Sequence, residues 1–363
     1  MTNTLDNLPK PEPDVESFKT MLRKGVPDRV PLVELAIADE LLAEINGQPL
    51  APYPPDDNSI QLRMWADQRV RLWWRIGYDY YRIRAEIPFT IDRLSSKDTA
   101  ALASGNRQWV NEHQGIIRSH RDVDNYNWPQ KTDINLAQIE ALINCLPEGM
   151  GGIGFSGGVL EWASTLFGLE NFSLMLYDNP GLVREVVDHV GQVIYETFDM
   201  FCQMEVIFAI WLGDDLGFKT STLIKPEHLR KYILPWHRKY AELAHRTHRF
   251  FLLHSCGHIE AVMPDLINNV GIDAKHSFED VIMPVEEFKQ NWGKHIAILG
   301  GVDVDLLCRG TVSEVCERTK QILDICASEG GYACGSGNSV TNYVQPANYL
   351  AMIETVHRYN GRL

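Results

Sequence analysis

The chain has 363 residues, of which 45% are hydrophobic, and its formal net charge at pH 7 is −14. This length and composition can bury one large core or two ordinary ones. The acidic balance disfavours a nucleic-acid partner, because phosphates need a broad basic face. No uninterrupted apolar stretch of about 18 residues occurs, so we expect no membrane span.

The N-terminal segment is polar and rich in proline. Met1–Asp14 contains Pro9, Pro11 and Pro13, which is typical of a loose arm, and we assign residues 1–25 to an N-terminal arm or helix. The segment has no basic stretch followed by an apolar one, so it does not resemble an export signal. The seven cysteines are therefore expected to be reduced thiols in the cytoplasm.

Eight short apolar runs follow along the chain, mostly separated by amphipathic helical patterns. The runs are Val30–Ile37, Tyr78–Ile83, Gly152–Phe155, Val206–Leu212, Phe250–His254, Ile272–His276, Ile296–Leu299 and Gly331–Cys334. The helical patterns are clearest over Leu182–Phe201, Pro226–Thr247, Ile259–Asn268 and Val312–Ala327. This alternation predicts an α/β fold, a single (β/α)8 TIM-barrel domain over residues 1–363. The region Asp92–Cys145 is predicted to hold an inserted hairpin, because Asn106–Gly115 and Ile116–Asp124 are polar with alternating apolar positions.

The clearest chemical signal is the sequence His254-Ser255-Cys256-Gly257 at the end of one apolar run. Alternate side chains of a strand point the same way, so His254 and Cys256 are aimed at a common point, as a zinc site needs. Cys334 ends the last run and is the third candidate ligand, because the fifth and eighth strands of a barrel face each other across its mouth. Three protein ligands leave one position open, which is typical of catalytic zinc.

Other polar residues stand at the carboxyl ends of the predicted strands, where barrel enzymes place their chemistry. Asp214 and Asp215 follow one run, and since neighbours on a strand face opposite ways, only one of them is expected to face the cavity. That residue could bind substrate, orient a zinc ligand or move a proton, whereas a capping role would be structural. We assign Asp214 and Asp215 as the candidate catalytic residues.

A second group of residues is assigned to substrate binding because its members occupy or adjoin strand ends on the same rim. The members are Glu34, Trp211, His276 and Asn338.

Several motifs, in this order, resemble the uroporphyrinogen decarboxylase superfamily. They are Asp28–Leu32, Gly213–Gly217, Leu253–Gly257, Ile298–Asp303 and Gly330–Tyr332. Within that superfamily the chain resembles the zinc-dependent cobalamin (corrinoid) methyltransferase branch, and the resemblance runs roughly from Val26 to the C-terminus.

The resemblance implies a (β/α)8 barrel in which His254, Cys256 and a late cysteine bind zinc. Cys334 stands slightly earlier than the family's late cysteine. The decarboxylases of the superfamily carry an arginine-rich N-terminal segment for the acidic groups of a tetrapyrrole, whereas Leu32–Ile37 contains no arginine. A polyanionic porphyrinogen would meet an acidic wall there, which argues against decarboxylation.

The resemblance also implies methyl transfer between a small substrate and the cobalt of methylcobalamin or another corrinoid on a separate partner protein. The substrate would be a methyl ether, such as a methoxylated aromatic undergoing O-demethylation, or a thiol acceptor. Zinc would activate the reacting oxygen or sulfur, and Asp214 or Asp215 would orient the substrate or handle its proton. The chain has no Asp-x-His-x-x-Gly sequence, so we expect the corrinoid protein to dock over the barrel mouth of a monomer or homodimer.

Three alternatives remain at this point. The first is a tetrapyrrole decarboxylase that needs no metal. The second is a zinc hydrolase on the same rim, with Asp215 or Glu34 as its general base. The third is a non-catalytic binding or scaffold protein, in which changing His254 or Cys256 would leave the activity intact.

Overall fold

A computed structural model describes residues 5–55, 58–100, 102, 106–110 and 115–363, with backbone only for 93–97 and 106–110. Seven parallel strands form one curled sheet with the order β1-β4-β5-β6-β7-β8-β9. These strands are β1 (Tyr80–Arg84), β4 (Gly151–Gly157), β5 (Ile207–Gly213), β6 (Phe250–His254), β7 (Ala274–His276), β8 (Ala297–Leu299) and β9 (Tyr332–Ala333). The strands β2 (Arg93–Lys97) and β3 (Asn106–Val110) pair with each other in an antiparallel hairpin.

Helices lie along the chain between these strands and at both ends of it. Before β4 they are α1 (Val15–Leu22), α2 (Asp39–Asn46), α3 (Ser59–Ile76), α4 (His120–Asn125) and α5 (Leu136–Asn144). Between β4 and β7 they are α6 (Val159–Phe167), α7 (Leu169–Asp178), α8 (Pro180–Cys202), α9 (Pro226–His228), α10 (Leu234–Arg246) and α11 (Met263–Asp265). After β7 they are α12 (Val285–Trp292), α13 (Val304–Arg309), α14 (Val312–Cys326) and α15 (Pro346–Tyr359).

Strand register places one row of residues across the carboxyl edge of the sheet. Because paired residues of parallel neighbours point to the same side, the members of this row share a face. They are Gly157, Gly213, His254, His276, Leu299 and Ala333. Trp211 precedes Gly213 on that face, and its ring meets the His276 ring edge-on at 5.4 Å. The row therefore sets two histidines side by side, with a glycine as neighbour on the β5 side.

Seven of the eight predicted runs overlap the strands of the sheet. The exception is Val30–Ile37, which is no regular strand but forms isolated parallel bridges from Leu32 to Cys334 and from Ile37 to Val340. Val33 N donates to Cys334 O at 2.9 Å, and Cys334 N donates to Pro31 O at 2.9 Å. Proline has no N–H to continue such a ladder. Among the described residues the sheet is thus seven-stranded, extended by this irregular segment rather than by an eighth strand.

A side chain joins the irregular segment, residues 30–37, to β1. We call this junction the seam. No backbone hydrogen bond links described residues 30–37 to β1. Instead, the Tyr80 hydroxyl accepts a hydrogen bond from Glu34 N at 2.9 Å and donates one to Glu34 O at 2.6 Å. Tyr80 is fully buried, so both backbone groups depend on this phenol for a partner.

An inserted hairpin lies within the predicted region Asp92–Cys145, but its two strands are not the two segments that the sequence suggested. The sequence pairs Asn106–Gly115 with Ile116–Asp124, whereas β3 pairs with β2, and α4 begins at His120. Residues 111–114 lie outside the described part of the chain. In the N-terminal arm, α1 forms a helix whose buried face includes Phe18 and Met21. Among the described helices, none is both long and apolar enough to cross a membrane.

We predict that Tyr80→Phe destabilises the fold, because it leaves a buried backbone donor and acceptor of Glu34 unpaired. The expected loss in the free energy of unfolding is about 1–3 kcal/mol, measured by urea denaturation. Tyr343→Phe, at an exposed tyrosine, is the matched control and should change stability little. Equal stability of Tyr80→Phe and the wild type would show that the seam does not depend on the phenol.

Candidate metal and substrate site

Three potential metal ligands converge where β5 and β6 end. The ligand atoms of Asp215, His254 and Cys256 all lie within 4.8 Å of one another. Cys256 Sγ is 3.4 Å from His254 Nε2, and His254 Nε2 is 3.6 Å from Asp215 Oδ1. Asp215 Oδ1 also accepts a hydrogen bond from Cys256 N at 2.8 Å. Nitrogen, sulfur and oxygen donors of these types form catalytic zinc sites with three protein ligands.

Close backbone contact between two loops brings Asp215 to the other two residues. A Cβ atom on Gly217 would lie 2.6 Å from Cys256 O, and one on Gly257 would lie 2.4 Å from the Gly217 carbonyl carbon. Gly257 also has a positive φ of 78°, which disfavours other residues. The glycines therefore allow the loops after β5 and β6 to touch, and the touching loops set the carboxylate beside the thiol.

A hydrogen-bond chain behind His254 fixes which of its nitrogens faces the thiol. His276 Nε2 is 3.3 Å from Ser336 O, a carbonyl oxygen that can only accept, so Nε2 carries the proton. Burial holds the pKa of His276 well below its usual value, so the ring is neutral and its Nδ1 accepts. That atom is 2.7 Å from His254 Nδ1, which must then donate. His254 Nε2 is left with a lone pair directed at Cys256 and Asp215, the tautomer a metal ligand needs.

Two further donors approach the sulfur of Cys256. Ser277 Oγ donates to Cys256 Sγ at 3.4 Å, and Asn338 Nδ2 donates to it at 3.2 Å. Without a metal, burial and the charge of Asp215 raise the pKa of the Cys256 thiol to about 12. A cation would reverse this balance, since a coordinating thiol loses its proton, and both donors would then stabilise the thiolate.

Ser277 reaches the sulfur from a strained backbone. Its φ of 93° lies in the left-handed region that non-glycine residues rarely adopt. Lys275 points to the face of β7 opposite to that of His276. Its ammonium group donates a hydrogen bond to Ser277 O and thereby holds the backbone conformation of Ser277. Burial lowers the pKa of Lys275 to about 8. Strain of this kind is typical of positions where a side chain must be aimed at a reacting group.

The two aspartates after β5 have different environments. Asp214 is fully buried and accepts from Leu160 N at 3.1 Å and Glu161 N at 3.0 Å, which caps the N-terminus of α6. His237 of α10 donates to it at 2.7 Å. Asp215, by contrast, belongs to the ligand group. The structure therefore gives Asp214 a helix-capping contact set and leaves Asp215 in the cavity.

Cys334 is not brought to the ligand group. It shares a strand face with Tyr332, and burial raises the pKa of its thiol to about 12 while the Tyr332 hydroxyl lowers it by a hydrogen bond. The thiol also interacts electrostatically with Cys326 of α14, a helix outside the sheet. His276 pairs with Leu299, and Leu299 pairs with Ala333. Because Cys334 is the next residue after Ala333, its side chain points to the opposite face of the sheet from His276.

The remaining predicted substrate-binding residues line the sheet interior. Trp211 packs on His276, and its Nε1 is buried without a hydrogen-bond partner among the described residues. Asn338 donates a hydrogen bond to the sulfur of Cys256, as described above. Glu34 is buried, and its carboxyl group faces the N–H and hydroxyl of Ser336. It therefore adjoins the hydrogen bonds that link Ser336, His276 and His254 rather than the ligand group itself.

Sequence reasoning missed Glu161. Desolvation, then the charges of Asp214 and Asp215, raise the pKa of this carboxyl group to about 8, although the residue keeps a solvent-exposed surface. An acid in the first turn of a helix is ordinary stabilising charge, so nothing in the sequence marks this one. Only the packing of α6 against the loop after β5 sets three carboxyl groups together.

A sequence profile of the family described as uroporphyrinogen decarboxylase (URO-D) matches residues 111–359. The chain belongs to this family. The match includes Asp215, His254 and Cys256, whereas Glu34 and β1 lie before it.

Two curated relatives represent two activities within similar sequences. A methylated-thiol–coenzyme M methyltransferase of Methanosarcina mazei is 36% identical over 176 residues, which are 48% of this chain and 45% of that protein. The match thus spans less than half the length of that relative. A uroporphyrinogen decarboxylase of Acinetobacter baylyi is 22% identical over 267 residues, 68% of this chain and 70% of that protein.

A solved structure shares the fold over nearly the whole chain. It is described as a methyltransferase from Methanosarcina mazei, and it superposes with a TM-score of 0.70, covering 96% of this chain and 99% of that one. Sequence identity in this comparison is 15%, so the likeness concerns the fold. The curled parallel sheet is therefore a TIM-barrel-like fold of the family.

We predict that Glu34→Gln changes how stability depends on pH. Burial raises the pKa of Glu34 from 4.5 to about 8, so the folded state prefers the protonated form. Its contribution to stability is fully present below about pH 4.5 and is lost as pH rises through 8.

The stability of Glu34→Gln relative to the wild type should therefore increase between pH 5 and 8, by up to about 1.4 kcal/mol per pH unit. Urea denaturation across this range measures it, with Glu44→Gln at an exposed acid as the control. A constant difference between Glu34→Gln and the wild type at all pH values would contradict the prediction.

Proposed function

We propose that this protein is a zinc-dependent methyltransferase that moves a methyl group between a small substrate and the cobalt of a separate corrinoid protein. The observation that carries the proposal is the group of Asp215, His254 and Cys256, whose ligand atoms lie within 4.8 Å of one another at the carboxyl edge of the sheet. Similarity to a curated methylated-thiol–coenzyme M methyltransferase supports the reaction class.

The donor set fits zinc. His254 presents a lone pair, Cys256 has two hydrogen-bond donors that stabilise a thiolate, and Asp215 supplies a carboxylate oxygen. Zinc held there would supply Lewis acidity to a thiol or to the oxygen or sulfur of a methyl donor. We assign the third ligand to Asp215, in place of Cys334.

The protein's own residues then have distinct tasks. His276 orients His254 through the Nδ1–Nδ1 hydrogen bond, and Ser277 and Asn338 fix the sulfur of Cys256. Glu161, solvent-exposed and within the electrostatic influence of Asp215, is placed to exchange a proton with the reacting heteroatom of the substrate. Trp211 covers the inner side of His276 and excludes water from it. The corrinoid partner would approach from the open edge where the strands end.

We predict that the purified protein binds about one equivalent of zinc and that Asp215→Ala, His254→Ala and Cys256→Ser each lose it. Cys334→Ser is the matched control, a buried cysteine outside the group, and should keep its zinc. Elemental analysis and the thiolate-to-metal charge-transfer band after cobalt(II) substitution measure both properties. Zinc lost from Cys334→Ser but kept by Cys256→Ser would reject this ligand set.

We predict that the zinc-loaded protein converts methylcob(III)alamin and a thiol to cob(I)alamin, the methyl thioether and a proton. In the other direction, it would convert cob(I)alamin, a proton and a methoxylated aromatic to methylcob(III)alamin and the phenol. The cobalamin absorption spectrum follows either direction. Ser277→Ala should keep zinc yet lower the rate about tenfold or more, because a hydrogen bond to a charged group is worth roughly 1.5–3 kcal/mol.

Other outcomes identify the alternatives. Decarboxylation of a porphyrinogen by a metal-free protein would favour the activity of the Acinetobacter relative. Zinc-dependent hydrolysis without cobalamin would indicate a hydrolase.

A further inference from the structure

One cation in the barrel interior has no anionic partner. Arg82 lies in the middle of β1, and its Nε atom is completely buried without a hydrogen-bond partner among the described residues. No ion pair joins Arg82 to any acid in the described part of the chain, whereas its neighbour Arg84 pairs with Glu86 at 3.0 Å. The residue as a whole is half-buried, and a charge withdrawn from water is normally paired, because an unpaired one costs solvation free energy.

Strand parity puts Arg82 on the same face as the metal-ligand group. Tyr80, Arg82 and Arg84 alternate to one side of β1, and Arg84 is in register with Phe155. Phe155 is in register with Trp211, the residue that packs on His276. The guanidinium therefore enters the same interior as His254, from a strand three positions away in the sheet.

The Phe155 ring packs against the Arg82 guanidinium but offers its N–H groups no hydrogen-bond acceptor. Arg82 Cζ is 4.4 Å from the centre of the Phe155 ring, a cation–π contact. The N–H donors of a guanidinium lie in its plane, so a stacked ring satisfies none of them. The opposite end of the same phenyl ring reaches towards β5, since its Cζ would be 2.8 Å from a Cβ at Gly213, the residue paired with His254.

The electrostatic surroundings agree with this placement. Burial and then the charge of Arg84 lower the pKa of Arg82 to about 10, so it remains a cation at neutral pH.

From the unpaired guanidinium, its open donor edge and its shared face with His254, we propose that Arg82 binds an acidic group of the substrate, a carboxylate or a sulfonate. The substrate is then a small molecule with a methylated or methyl-accepting oxygen or sulfur at one end and an anion at the other. Three strand spacings separate β1 from β6, roughly 14 Å along the sheet and less across its curl. A substituted benzoate or a short thiol sulfonate spans such a gap. The proposal rests on the proposed function for the reacting end only.

Binding of defined probes tests this proposal without turnover. Calorimetry on zinc-loaded and zinc-free protein compares 4-methoxybenzoate with the uncharged 4-methoxybenzamide, and 2-mercaptoethanesulfonate with 2-mercaptoethanol. We expect at least one anion to bind at least tenfold more tightly than its uncharged analogue. Arg82→Gln should abolish that preference and leave the analogue's affinity unchanged, whereas Arg84→Gln, at the paired arginine, should preserve the preference. Preference for the benzoate identifies an aromatic carboxylate, and preference for the sulfonate an alkyl sulfonate.

Stability separates a binding role from a structural one. If Arg82 serves a ligand, Arg82→Met should keep its zinc and unfold at an equal or higher urea concentration, since it removes an unpaired and partly buried charge. Equal affinity of the wild type for each anion and its neutral analogue, failure of both anions to bind, or a clearly lower unfolding midpoint for Arg82→Met overturns the proposal. Because none of these readouts involves cobalamin, they are independent of whether methyl transfer is observed.

Discussion

The candidate site depends on one buried hydrogen bond, between the Nδ1 atoms of His254 and His276. A neutral imidazole has one donor and one acceptor nitrogen, so the carbonyl of Ser336 decides the state of both rings. It takes the proton of His276 Nε2, which makes His276 Nδ1 an acceptor and leaves His254 Nε2 free to bind a metal. Desolvation keeps both rings neutral, since burial lowers both pKa values.

The residues around this bond violate several local rules that hold elsewhere in the molecule. Ser277 has a left-handed backbone, and Lys275 is buried with its charge against a carbonyl. Arg82 has no anionic partner, and its Nε has no hydrogen-bond partner, among the described residues. Each costs stability by itself. Such violations concentrate where a protein binds or transforms a ligand, and here they surround the ligand group from β1 and β7.

The match to the URO-D family covers residues 111–359 and therefore includes the ligand group but not the opposite wall. Glu34 and Arg82 belong to the segments before it, on either side of the seam that Tyr80 joins. In the proposed site, the matched part would supply the metal ligands, and the preceding part would supply the groups that select the substrate.

Much of this architecture is readable in the sequence. Apolar runs predicted the positions of seven strands, and alternation along Phe250–His254 predicted that His254 and Cys256 would point to one place, since both follow from local geometry. The first run was predicted as a strand but forms only isolated bridges, and the hairpin partner was assigned one element too late. Local patterns carry little information on which segments pair.

Local sequence patterns set the alternation of strands and helices and the shared direction of His254 and Cys256. They also imply that only one of two adjacent aspartates can face the cavity. Tertiary structure decided which one. The contact between Gly217 and Gly257 sets Asp215 beside the thiol, α6 and His237 engage Asp214, and register turns Cys334 to the other face. These outcomes depend on contacts between residues far apart in the chain, whose geometry is fixed only when the sheet curls and its loops pack together.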